Sequence, residues 1–179
     1  NSDGKVAGVF TDVLSYVAQK EGWSLEYIPG TWAECLERLG SGEIDLLVAI
    51  ANSEQRQLLY DFTEQAVISN WGIIYTPENA ELSSTIELSD RRIGVVEGDI
   101  YYLYFQAIAD QFQINPKYVE VGSYGEILDM FATGEVDAGI IPRIFGTYQE
   151  RTQSISKSSI SFRPVNLHIA APRGKNGEL

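Results

Sequence analysis

The sequence predicts an α/β protein of two similar lobes, each a mostly parallel sheet flanked by helices, with a ligand cleft between them. Three observations carry that expectation. The phrase "GTWAECLERLGSGEID" at 30–45 returns as "GSYGEILDMFATGEVD" at 122–137, without a gap and with six identities in sixteen positions. In each copy a helix-like period gives way to a short apolar run bounded by turn residues. The length of 179 residues and the apolar content of 44% suit one large domain or two small ones with real cores.

The elements follow in order. "GVFTDVLSYVAQKEGW" places Val13, Val17 and Ala18 on one helical side, with Gly22 near the end. "SLEYIP" is a strand candidate. Thr31 and Ser123 each stand three residues before a glutamate, Glu34 and Glu126, which is the capping-box spacing. Cys35, Leu36 and Leu39 then share a side, as do Ile127, Leu128 and Phe131. Gly42 and Gly134 release the two helices, and "DLLVAI" and "DAGII" follow as buried strands. With "SLEYIP" or "KYVEV" in front, each copy reads strand–helix–strand, a unit that builds parallel sheets. "NWGIIYTP" is a strand ending at Pro77, and "ENAELSSTIELSD" is a polar linker between lobes. "RRIGVVEGD" is a strand, "IYYLYFQAIADQF" a helix closed by Asn115-Pro116, and "RIFGTYQERTQS" a helix. "ISFRPVNLHIAAPRGKN" is one late strand that returns to the first lobe. These readings place lobe 1 at 1–76 plus 164–179 and lobe 2 at 80–160, with crossovers at 77–79 and 161–163.

Composition narrows the function. A net charge of −12 repels nucleic acid and anionic membrane surfaces. No apolar run reaches the roughly 18 residues of a membrane span, so no direct membrane insertion of this stretch is expected. The opening "NSDGK" reads as a turn, and a longer parent chain with a targeting segment, anchor or further domains is expected. Cys35 is the only cysteine, which excludes an internal disulfide, and the single histidine, His168, argues against a His-rich metal site. Both are expected to be structural: Cys35 as a buried core thiol, His168 within a strand. No cofactor is expected. The motifs G-x-S-x-G, H-E-x-x-H and the P-loop are absent, so the chain is expected not to be an enzyme.

A cleft between lobes is a favoured place for a small ligand, and several residues suit one. Arg56 offers a planar fork that grips a carboxylate with two hydrogen bonds. The alternative is that Asn52 caps a short helix, Gln55 completes the box, and Arg56 is solvated. Gly98 and Asp99 precede a helix whose first N–H groups and dipole favour an anion, unless Asp99 is itself the cap. Arg143 is either a second cation of the cleft or a surface charge. Phe10, Trp32, Trp71 and Tyr101 are candidates for an apolar wall, although Trp32, matched by Tyr124 in the repeat, reads better as core.

The order of "DGKVAGVFTDVLSYVAQKEGW", "TWAECLERLGSGEIDLLVAIANSEQR", "YDFTE", "IGVVEGD", "SYGEILDMFATGEVDAG" and "VNLHIAAPRGKN" resembles the type II periplasmic solute-binding proteins, family 3, typified by amino-acid binders. "NSEQR" followed by "YDFTE" is the strongest single element. The resemblance implies two α/β lobes joined by crossover strands and closing on a ligand. It implies that Arg56 holds a ligand carboxylate, helped by the group at Ser53. Two departures stand out. The family's first strand, which normally precedes "NSDGK", and the helices that follow "GKNGEL" are missing. Where Pro142 stands, amino-acid binders usually carry an aspartate that holds the ligand's ammonium. The "RIFG" ending looks like versions fused to membrane histidine kinases or cyclic-dinucleotide enzymes. The expected role is therefore an extracytoplasmic sensor domain, periplasmic or extracellular and tethered to the inner membrane through its parent receptor, which could dimerise it. Its partner would be a small acidic or amino-acid-like solute. The alternative is a free-standing solute-binding protein of an ABC transporter.

Overall fold

A computed structural model describes residues 6–78, 80 and 82–175. The turn read at Asn1–Lys5 and the end of the return segment, 176–179, lie outside the described residues, as do Asn79 and Glu81 of the polar loop. The chain forms two compact units. The first comprises 1–30, 35–68 and 166–179; the second comprises 31–34 and 69–165.

In the first unit, helix α1 (Val9–Glu21) ends at Gly22, whose φ of 74° is the left-handed conformation that glycine adopts without steric cost. Leu14 and Ala18, four apart, are its buried residues. Helix α2 (Trp32–Ser41) begins with the expected capping box: Glu34 N–H donates to Thr31 Oγ1, and Thr31 N–H to Glu34 Oε2. Its first turn groups with the second unit, while the rest, including fully buried Leu39, groups with the first. The Tyr60 hydroxyl donates to the Leu36 carbonyl on this part of the helix. Strands β1 (Leu47–Ala51), β2 (Tyr60–Phe62) and β3 (Ile68–Asn70) all pair with β9 (Val165–Pro172), and a short helix α3 (Glu54–Gln57) lies between β1 and β2. Cys35 is half-buried rather than buried. His168 is structural as expected: it is buried on β9, and its Nδ1 lies 2.8 Å from the Thr63 carbonyl oxygen.

The second unit holds a five-stranded sheet of order β6-β5-β7-β4-β8, formed by β4 (Gly72–Pro77), β5 (Arg92–Val96), β6 (Lys117–Val121), β7 (Ala138–Pro142) and β8 (Ile155–Ser161). Helices α4 (Ile100–Phe112), α5 (Tyr124–Thr133) and α6 (Arg143–Gln149) accompany it. Ser123 caps α5 through Glu126 N–H, and Gly134, at φ 70°, ends it. Close approach of α5 to the sheet needs small residues beneath it. A Cβ at Gly94 would lie 3.1 Å from Ile127, and one at Gly139 would collide with the same side chain. Ile73, Val96, Val121, Ile127, Leu128 and Ile141 form the heart of the core.

Several expectations change. The α/β class stands, but strand direction differs. β1 and β2 run antiparallel to β9, and in the second sheet only β6-β5 and β5-β7 are parallel. "SLEYIP" forms no strand, so the first copy lacks its opening strand; within the first unit it has no ladder partner among the described residues. The late strand is two, β8 and β9, broken at Phe162–Pro164, where Pro164 has no N–H to donate. β4 pairs with β7 and β8, so the chain passes into the second unit at Ile68–Ser69 and leaves it at Val165–Asn166, not at 77–79 and 161–163. The polar loop accordingly lies within the second unit. It contains a 3-10 turn, Thr85–Leu88, whose Leu88 is fully buried. No helix among the described residues is long and apolar enough to cross a membrane.

The aspartate that closes the second copy of the repeat does structural work. Asp137 accepts from Arg92 Nη2 at 2.7 Å, Nε at 3.2 Å and the backbone N–H at 2.9 Å, which ties the start of β7 to β5. Hydrogen bonds from Arg92 hold its carboxyl below the usual range, against a weaker opposing effect of burial. A depressed carboxylate stabilises the fold fully above its unfolded value, near 3.8, and loses that contribution as pH falls through the lower folded value. Half-exposed Arg92 keeps the effect modest. We expect Asp137→Asn to lower the urea midpoint at pH 7 and to converge with the wild type only as pH falls from 3.8 through the lower folded value. A gap that stays constant across that range would show that charge is not the cause.

Candidate functional site

The residues singled out from the sequence fall into two groups, one in each unit. In the first unit β1 leads directly into α3. Ala49, within β1, has a φ of 59°, and the pairing with β9 shifts register between Leu47 and Ile50. A non-glycine residue there is strained, and such strain persists only where surrounding structure holds it. The bulge re-aims the end of the strand, where Ala51, Asn52 and Ser53 follow.

Ser53, not Asn52, caps α3: its Oγ accepts from Arg56 N–H at 3.3 Å. Asn52 Oδ1 instead accepts from Gln57 Nε2 at 2.8 Å. The capping frame is thus one residue later than the expected Asn52–Gln55 box. Arg56 is not solvated. It is 8% exposed, and Nη1 donates to the Ala51 carbonyl at 3.3 Å. A guanidinium taken out of water needs polar partners on its donors. Its placement at a strand's end beside a cap hydroxyl suits it to a carboxylate. The return segment braces this turn. Arg173 Nη1 donates to the carbonyls of Leu58 and Gln57 at 2.6 and 3.1 Å, and Gly174 N–H donates to Asp61 Oδ2. Arginine at a helix C-terminus satisfies carbonyls that have no partner within the helix. Phe10 lies on the first turn of α1, half-buried, and makes no ring contact among the described residues.

In the second unit the carboxyl ends of the parallel strands β5, β6 and β7 lead into α4, α5 and α6. That edge is where open α/β sheets bind ligands. Trp32 Nε1 donates to the Gly98 carbonyl at 3.2 Å, and Gly98 has a φ of 71°. Asp99 is the N-cap residue of α4, yet its side chain makes no capping bond; it accepts from the Tyr124 hydroxyl at 2.9 Å. Asp99 is 5% exposed, so a carboxylate already occupies the electropositive end of α4. The Tyr124 ring packs on Phe145 of α6, 5.6 Å between centroids. Trp32 and Trp71 both pack against the core of this unit, which supports the core reading of Trp32.

Tyr101 does not form a wall. It is 2% exposed, and a Cβ on Gly72 would stand 2.6 Å from its ring. Its hydroxyl is buried with no hydrogen-bond partner among the described residues, and burial, then the nearby Asp99 charge, pushes its ionisation well above the ordinary tyrosine range. Arg143 is exposed and lies over the Trp71 ring, 4.6 Å from its centroid. Pro142, the N-cap of α6, has no side-chain donor or acceptor. Buried Asn70 supplies the cap from another strand, its Oδ1 accepting from Ile144 N–H at 3.3 Å and from Trp71 N–H at 3.0 Å. Sequence reasoning missed Asn70 and gave Tyr124 only a place in the repeat. The alignment of Tyr124 with Trp32 was the one signal for it.

An ancestral arginine-binding protein bound to glutamine superposes with a TM-score of 0.87 at 20% identity, covering 98% of this chain and 78% of that one. The fold is that of the type II periplasmic binding proteins. A histidine kinase sensor domain with similarity to periplasmic binding proteins superposes with a TM-score of 0.83 at 21% identity, covering 98% of this chain and 76% of that one. In sequence, residues 1–85 match the bacterial extracellular solute-binding proteins, family 3. The chain is also 26% identical over 99 residues to a probable histidine-binding protein of Campylobacter jejuni, a stretch covering 55% of this chain and 39% of that relative. These relatives are ligand-binding proteins, and the resemblance read from the sequence is to the same family.

Proposed function

We propose that the chain is an extracytoplasmic ligand-binding domain that takes up a small acidic or amino-acid-like solute and reports it to a membrane signalling receptor. The observation that carries this reading is Arg56, buried behind the Ser53 cap at the end of β1. Binding energy that differs between two conformations of the chain shifts their populations, and the shift is the signal. The likeness to a histidine kinase sensor domain supports the sensor role. The fold is shared by the substrate-binding protein of an amino acid ABC transporter, which supports a second reading, a free-standing binding protein that feeds a transporter.

A thermal-shift screen against the common amino acids and small carboxylic acids tests the ligand class. A true ligand at a hundred times its dissociation constant adds about 2.7 kcal/mol of stability. A screen in which neither class shifts the transition would sink the reading. The full-length gene separates the two roles: a membrane span with a kinase or cyclase downstream means sensor, and neither means transport.

A further inference from the structure

A depression of about 360 Å³ lies on the second unit, with Trp71, Ile73 and Arg143 on one side and Lys157, Ser159 and Ser161 of β8 on the other. We propose that Arg143 and Lys157 form a separate anion site there, for a small soluble molecule carrying two negative charges. The solute-binding reading of Arg56 does not enter this argument, since Arg56 belongs to the first unit.

Charge is the first reason. The chain has 25 acidic residues against 13 basic ones, yet both charged residues lining this depression are cationic. Among the described residues neither Arg143 nor Lys157 makes a salt bridge. Two uncompensated cations facing one hollow repel each other, and an anion between them removes that cost.

Geometry is the second. Arg143 is held from two directions: its backbone N–H donates to the Trp71 carbonyl at 2.8 Å, and its guanidinium lies over the Trp71 ring. Stacking occupies the face of a guanidinium and leaves its N–H edge for a bidentate oxyanion. Lys157 stands on β8 in register with Tyr75 and contributes a point charge. The Ser161 hydroxyl adds a donor. The Ser159 hydroxyl already donates to the Ser83 carbonyl at 3.4 Å, which fixes it. The volume sits at the small end of ligand pockets, so the occupant is compact. A dicarboxylate and a phosphate share the required chemistry.

Calorimetric titration of the full chain with inorganic phosphate, and separately with succinate, at constant ionic strength tests the proposal. We expect saturable one-to-one binding of at least one probe. Arg143→Gln and Lys157→Gln should each weaken it about tenfold or more, the loss of a charge-assisted bond. Lys117→Gln, which removes an exposed cation of β6 outside the depression, should leave it unchanged. Lys157 is exposed, so its variant keeps the fold, which circular dichroism verifies. The proposal is overturned if neither probe saturates, or if Lys157→Gln binds as the wild type does. Binding that is lost in Arg56→Ala and kept in Lys157→Gln would place the anion on the first unit and overturn it equally.

Discussion

Arg56→Ala is expected to abolish ligand-induced stabilisation while leaving a folded chain. The guanidinium is buried, and its Nη1 donates to the Ala51 carbonyl. The capping bond to Ser53 comes from the Arg56 backbone and survives the change. Truncating one partner of a buried, hydrogen-bonded charge pair costs about 2–5 kcal/mol, or roughly thirtyfold to several-thousandfold in affinity. Arg56→Lys keeps the charge and loses the planar fork, so it should recover only part of the binding. The measurement is the transition shift and calorimetric affinity for the best solute from the screen. An alanine variant that still shows the full shift would remove Arg56 from the site.

Phe105→Ala is expected to cost about 3–5 kcal/mol of stability. Phe105 is completely buried on α4. Its ring meets Phe162 at 5.4 Å and Tyr118 edge-on at 6.2 Å, so one side chain joins a helix, strand β6 and the segment after β8. Phe112, one residue type and two turns further along the same helix, is 55% exposed. Its alanine variant should change stability by about 0.5 kcal/mol or less. Urea unfolding compares them. The Phe105 variant should lose midpoint without a change in slope, because the buried surface lost is small against the whole. Equal midpoints for the two variants would contradict this packing.

What could be read from the sequence was local. The two capping boxes, the glycines at 22, 42 and 134, and the helix 100–112 depend on neighbours within a few residues, and they stand as read. Strand direction depends on partners far away. β1 looks like the second half of a strand–helix–strand unit, yet its partner is β9, more than a hundred residues later and antiparallel. Nothing in "DLLVAI" encodes that choice. Sequence separation also hid Asn70, whose value comes from capping α6, and Lys157, which stands near Arg143 only once β8 has paired with β4. Arg56 was visible as a residue type in a resembling motif. Its burial, and the one-residue shift of the cap from Asn52 to Ser53, were not.

Every described strand of the first sheet hydrogen-bonds to β9, which spans Val165–Pro172. A ribosome delivers β1, β2 and β3 long before that hub, so the earlier strands must wait with open edges, while the nearly contiguous second unit has all its pieces in hand. Maturation in the cell should therefore run from the middle outward, and nascent chains stalled before residue 165 should hold a protease-resistant centre flanked by a sensitive amino-terminal arm.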